Sequence, residues 1–383
     1  MSGETRFNAG PLERWIEAER AAGRLSGGVV EIRQAGRPVM RAAFGVRHCG
    51  GAPATQDTVY WIASMTKPVV SVAAMALVER GALRLDEPVE RYAPGFGRRG
   101  VLLPDGTCAP AARPPLIRDL MRHLSGVTYG QFGNEAIHAR YLAAGVYDFR
   151  SDNARMAEAL ARLPLLHQPG TVFEYGMSTD LLGRAVEVAS GASLPAALDE
   201  LVLAPLAMRD TRFVPEPGRL AELPATPTVR ALAPPFDASQ TWFSGGGGLS
   251  STAPDYMRFA EMLRLGGACD GVRIVRPETL ALMSRDHLPA GVRYGAYTAA
   301  LGITAPWPEN GLGFGLGLAV RTARRAGLPG GLGEVFWPGV SGANFWVDPE
   351  NRLSCVLLTH APEHRARHRI DFRNAVYAGL AGG

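Results

Sequence analysis

Ser64 and Lys67, three residues apart in Trp61-Ile62-Ala63-Ser64-Met65-Thr66-Lys67, are the pair in this chain best suited to chemistry. Residues at that spacing share one helical face, so the lysine amine can reach the serine hydroxyl. A desolvated lysine loses its proton more readily and can serve as a base. A hydroxyl at a helix N-terminus also faces the positive end of the backbone dipole. Nucleophile, base and field together suit acyl transfer. The pattern alone is loose, because most Ser-x-x-Lys pairs are surface turns. Here the flanks, 59–63 and 69–78, are apolar, and an idle lysine is costly to bury among them.

Two other segments offer groups that such a pair needs. Tyr175, within 169–180, lies between a strand-like entry and a helix beginning near Thr179. It is placed to carry a proton to the leaving group, and beside a lysine ammonium its phenol is expected to titrate below its ordinary value. The plain alternative is a packed aromatic ring. The stretch Phe336-Trp337-Pro338-Gly339-Val340-Ser341-Gly342-Ala343 has glycines that admit close backbone approach. A backbone N–H there, paired with that of Ser64, would form an oxyanion hole. Composition alone makes Trp337 a core aromatic.

The elements that must position these residues follow from periodicity and turn chemistry. A helix is expected over 11–22, strands over 28–34 and 38–46, and the Ser64 helix to about Arg80, ending at Gly81. Helices are expected over 116–123, 152–163, 179–190 and 196–203. Strand character returns near Gly245, with three consecutive antiparallel strands over 314–320, 333–347 and 353–360 and a closing helix over 365–381. The order predicts an α/β chain of the α+β type: an antiparallel sheet built from both chain ends, the terminal helices on one face, and a mostly helical insertion. The boundaries are 1–85 with 225–383 for the first part and 86–224 for the second, with the active site in the cleft between them.

The 383 residues are 46% hydrophobic and 20% charged, an ordinary balance for a folded chain. Forty basic and 36 acidic residues leave a net charge of +4, spread along the sequence. No basic run interleaved with aromatics supports a nucleic-acid partner. Cys49, Cys108, Cys269 and Cys355 are widely spaced and form no CxxC, which fits reduced thiols. The N-terminus lacks a secretory pattern and no apolar run spans a bilayer, so a cytoplasmic protein with no membrane partner is expected. No GxGxxG follows a strand and no HExxH occurs, so neither a cofactor nor a metal is expected. His364 and His368 lie four apart amid arginines and read as a solvated basic face. Gly339-Val340-Ser341-Gly342-Ala343 nearly matches a nucleophile elbow, but the roughly forty residues beyond Ser341 leave no room for the rest of an α/β-hydrolase.

In combination these segments resemble the serine β-lactamase and penicillin-binding-protein superfamily, and within it the class C-like branch with the family VIII carboxylesterases. The likeness runs from about Gly28 to the last helix. It also takes in His123-Leu124-Ser125-Gly126-Val127, Gly245-Gly246-Gly247-Gly248-Leu249-Ser250-Ser251-Thr252, His287-Leu288-Pro289 and Phe345-Trp346-Val347-Asp348-Pro349-Glu350. The resemblance implies a β-lactamase/transpeptidase-like fold, Ser64 as acylated nucleophile, and Lys67 with Tyr175 as a coupled base. It implies the backbone N–H groups of Ser64 and Val340 as oxyanion donors. Trp337, Gly339 and Tyr129 would then contact substrate.

Two departures shape the substrate expectation. The third place of the Tyr-x-Asn motif holds Met177, and Trp337-Pro338-Gly339 stands where Lys-Thr-Gly binds a β-lactam. Pro338 also lacks the N–H of an ordinary residue. Both changes favour uncharged esters, so a carboxylesterase acting on a small-molecule ester or acyl donor is expected. An acyltransferase or weak β-lactam or amide hydrolase on the same scaffold is the alternative, and a catalytically silent ligand-binding module the remote one.

Overall fold

The computed structural model describes residues 7–48, 50–97, 99–129 and 136–381. Cys49 lies outside them. Helix α1 (Gly10–Ala21) leads into strands β1 (Gly27–Gln34) and β2 (Arg37–Gly45). The buried helix α2 (Thr66–Glu79) follows, then α3 (Ser178–Ser190), α4 (Ala253–Arg264), strands β3 (Leu312–Phe314), β4 (Ala319–Arg321), β5 (Val335–Phe336), β6 (Asn344–Asp348) and β7 (Leu353–Thr359), and helix α5 (Arg365–Ala381). The principal sheet is antiparallel in the order β3-β4-β5-β6-β7-β1-β2, so the two ends of the chain are paired within it, with Val30 opposite Leu357. Val29, Val30 and Ile32 suit a pleated, covered strand, and all three are fully buried.

Successive strand residues point to opposite faces. Phe345 of β6 meets Tyr256 and Phe259 of α4, with ring centroids 4.9 and 6.4 Å apart. Its neighbour Trp346 meets Phe372 of α5 at 5.3 Å, and Phe372 in turn packs on Trp15 of α1 at 5.6 Å. The terminal helices therefore share one face and α4 covers the other.

Several expectations need correction. Residues 314–320 form a hairpin rather than a strand, because Gly317 takes a positive φ of 91° and Gly315 N–H bonds back to Leu318 O. Residues 333–347 form two strands flanking a turn. Strand character near Gly245 is confined to the two residues Ser250–Ser251, and a helix follows at once: the Thr252 hydroxyl accepts from Asp255 N–H at 3.3 Å and Pro254 fills the first turn of α4. His368 is not on a solvated face. It is buried, 3.0 Å from Glu19 and edge-on to Trp15. Among the described residues no helix is long and apolar enough to cross a membrane.

Helix α2 is buried on every side from Thr66 to Leu77, as a helix apolar all round apart from Thr66, Lys67 and Ser71 must be. It packs on α3, which carries Asp180 in its first turn.

Candidate active site

Ser64 occupies a 3-10 turn, Ala63–Met65, that runs directly into α2. Ala63 before it is held at φ +46°, in the left-handed region where a side chain is disfavoured. The surroundings over-determine that turn. The strand Tyr60–Trp61 pairs with Ser250–Ser251, Ile62 N–H donates to Leu249 O at 3.0 Å, and Tyr256 OH donates to Met65 O at 2.8 Å.

The structure brings Ser64, Lys67 and Tyr175 together. Tyr175 OH lies 2.8 Å from Ser64 Oγ, and Lys67 Nζ lies 3.3 Å from the same oxygen. Tyr175 stands in the turn between the short strand Val172–Phe173 and α3. That turn is tied down by Gly176 N–H on His123 Nδ1 and by Glu174 N–H on His123 O, 3.4 and 2.9 Å. Met177, in the place of the family asparagine, is fully buried in the core.

Lys67 is 1% exposed, and burial lowers its pKa from the ordinary 10.5 to about 7, against an opposing pull from the Asp180 charge. Besides Ser64, its Nζ reaches Tyr129 OH at 3.0 Å and Gly246 O at 2.5 Å. Those are three acceptors for the three protons of an ammonium. Only the neutral amine has a lone pair free for the Ser64 proton.

Tyr175 departs from expectation. Burial pushes its phenol up to about 12, outweighing the hydrogen bonds with Ser64 and Trp337 that pull it down. Desolvation of a phenolate in an aromatic enclosure exceeds the help from its neighbours. The resting group is a neutral phenol.

Trp337 and Gly339 do not line the Ser64 pocket. Trp337 lies behind Tyr175 and donates its indole N–H to the phenol oxygen at 3.0 Å. Gly339 is a close-approach residue: a Cβ there would sit 2.5 Å from Ile62 O. Val340 does line the pocket with Ser64, and its N–H has no backbone acceptor among the described residues. Tyr129 lines it too, and also touches Lys67. Ser341 is buried and lies outside the lining.

Asp180 and the Gly246 carbonyl were not foreseen. Asp180 is buried and accepts from Ser244 Oγ at 2.5 Å and Gly246 N–H at 3.1 Å, which anchors the residue whose carbonyl Lys67 holds. A Cβ at Gly246 would fall 2.3 Å from an Asp180 oxygen. The signal was present in the Gly245–Gly248 run, whose glycines read only as a loop.

The pocket holds about 580 Å³ and is walled by Trp61, Tyr129, Tyr147, Phe149, Tyr175, Trp242 and Tyr297, with Leu232 and Pro234 at one side. Among the described residues its lining contains no arginine, lysine or histidine. Such a chamber favours neutral apolar groups and gives a carboxylate no counter-ion. Among the described residues no cluster of three or more His, Cys, Asp or Glu could hold a metal.

Comparison with known proteins agrees with this geometry. Protein Rv1367c of Mycobacterium tuberculosis is 36% identical over 359 residues, covering 89% of this chain and 88% of that protein. Esterase EstB of Burkholderia gladioli is 34% identical, covering 93% and 91%. Among solved structures, EstCE1, described as a hydrolase with promiscuous acyltransferase activity, superposes with a TM-score of 0.78 at 29% identity, covering 96% and 98%. The family model described as Beta-lactamase matches residues 12–379, and this chain belongs to that family.

Proposed function

We propose that this protein is a serine hydrolase that cleaves uncharged carboxylic esters through an acyl-Ser64 intermediate. The observation that carries the reading is a serine oxygen 2.8 Å from a phenol and 3.3 Å from a buried amine, at the floor of an aromatic pocket. The pocket is lined by Tyr129, Tyr147, Tyr175 and Asp180 from 86–224 and by Ser64, Trp242, Tyr297 and Val340 from the remainder. That supports a cleft between two lobes with those boundaries.

The hydrogen-bond directions order the steps. Tyr175 OH accepts from Trp337 and donates its single proton to Ser64 Oγ, so the serine proton is directed at Lys67 Nζ. As Oγ attacks the ester carbon, that proton passes to the neutral amine, and the carbonyl electrons become an oxyanion held by the N–H groups of Ser64 and Val340. Preorganised donors of this kind contribute several kcal/mol in total. Collapse expels an alkoxide, which takes the Tyr175 proton. The resulting phenolate is held by the Trp337 N–H and by Lys67, now charged, whose Nζ stands 4.8 Å from the ring centre. In deacylation water gives its proton to the phenolate and attacks the acyl carbon. Ser64 leaves and recovers its proton from Lys67, which closes the cycle.

An alcohol can replace water in the second half, which makes acyl transfer a second reading, favoured by the likeness to EstCE1, a hydrolase with promiscuous acyltransferase activity. A cytoplasmic location belongs to the same reading, supported by the free thiols of Cys108, Cys269 and Cys355. The test is a substrate panel. Turnover of p-nitrophenyl butyrate with negligible turnover of nitrocefin supports the proposal, and the reverse preference overturns it. Ester product formed on adding a primary alcohol marks the transferase route.

A further inference from the structure

A second, much smaller pocket, partly open to solvent, shares no lining residue with the Ser64 pocket. Three guanidinium groups line it: Arg321 at the end of β4, and Arg369 and Arg373 on α5. Arg321 and Arg373 lie in the interior, the Arg321 side chain only 1% exposed, and Arg369 is half-buried. One carboxylate, Glu334, faces them, 2.6 Å from Arg373 Nη1 and 3.5 Å from Arg321 Nη2. Arg369 spends its Nη2 on Gly339 O at 3.1 Å. Among the described residues that leaves Arg321 Nε, Arg321 Nη1 and Arg369 Nε buried with no acceptor. Arg369 is depressed by burial only to about 10, so it is charged at neutral pH.

Three positive charges against one negative, with three idle donors around a void, is an arrangement that folding does not leave uncompensated. Water can satisfy an N–H but cannot cancel the excess charge. We propose that this cavity binds a small inorganic anion, a halide or a phosphate-sized oxyanion, between Arg321 and Arg369. The site lies behind the turn that presents Val340. The anion would fix the guanidinium that holds Gly339 O, one residue before the oxyanion donor.

The test is thermal unfolding of the whole protein in a gluconate buffer at constant ionic strength, with sodium chloride or sodium phosphate replacing gluconate. The expected result is a saturable rise in Tm of about 2 °C with one of the two anions. Arg321→Met should lose that saturable response while keeping p-nitrophenyl butyrate hydrolysis within about twofold of the parent, since Arg321 is remote from the Ser64 lining. A response that is non-saturating, or identical in the variant, overturns the proposal. Should Arg321→Met fail to fold, bromide anomalous diffraction on the parent protein decides. A peak between Arg321 and Arg369 supports the site, its removal by phosphate marking an oxyanion and its persistence a halide. No peak, together with no saturable phosphate effect on Tm, overturns it.

Discussion

Replacing Lys67 with methionine should abolish ester turnover and remove a pH dependence of stability that is built into the active site. In the fold the amine titrates near 7, against an ordinary 10.5. At about 1.4 kcal/mol per unit, burying it costs as much as roughly 5 kcal/mol at neutral pH and below. The sign follows from proton counting. Between about pH 7 and 10.5 the unfolded chain keeps a proton that the folded chain has released, so the parent gains stability as pH rises through that window. The cost is absent above the window and constant below it. The methionine variant lacks this titration, although Gly246 O and Tyr129 OH then lose their ammonium donor, at about 1–3 kcal/mol each if nothing replaces it. Urea denaturation of both proteins across a pH series isolates the effect above pH 7, since titrating groups not coupled to Lys67 cancel in the difference and its partner Asp180 is a carboxylate that titrates on the acid side. Parent minus variant should be flat below about pH 6 and climb by about 2 kcal/mol between pH 7 and 9. Parallel stability curves across that range would show that Lys67 keeps an ordinary pKa, and the case for it as a neutral base would fail.

Trp337→Phe removes the indole donor to Tyr175 without touching the pocket lining. Steady-state kinetics on p-nitrophenyl butyrate should show kcat reduced about tenfold or more with KM within about twofold; a changed acyl-chain preference at constant kcat would return Trp337 to the pocket wall. Asp180→Asn removes the charge that pulls the Lys67 pKa upward, so the acid limb of the kcat/KM profile should move to lower pH, and an unmoved limb would contradict the electrostatic link. Ser341→Ala should leave turnover within about twofold of the parent, because Ser341 lies outside the lining; loss of activity from this change alone would reassign the nucleophile.

Much of this architecture was legible in residue order. Val29, Val30 and Ile32, set against the apolar run at 353–359, already mark two covered strands, and Pro68 followed by an apolar decade marks a helix with no wet side. Ser64, Lys67 and Tyr175 were legible because each sits at a strand-to-helix turn with a distinctive neighbour. What escaped depends on the third dimension. Asp180 follows Tyr175 by five residues, yet its contact is with Gly246, 66 positions away, and only packing of α3 on that loop shows it. Composition makes Trp337 a core aromatic and the family resemblance implies a substrate contact; which side of Tyr175 it takes is set by the β5 register. The Tyr175 shift runs opposite to the expectation for a similar reason. A nearby ammonium is visible in sequence, whereas the enclosing rings of Tyr129, Trp337 and Tyr297, at 5.5, 5.1 and 5.9 Å, are not.

The most direct measurement is intact-mass spectrometry with peptide mapping after rapid quench of the enzyme with p-nitrophenyl butyrate. The account predicts a butyryl increment confined to the peptide carrying Ser64 and absent from Ser64→Ala. A butyryl group on any other residue, or full turnover by Ser64→Ala, would contradict it.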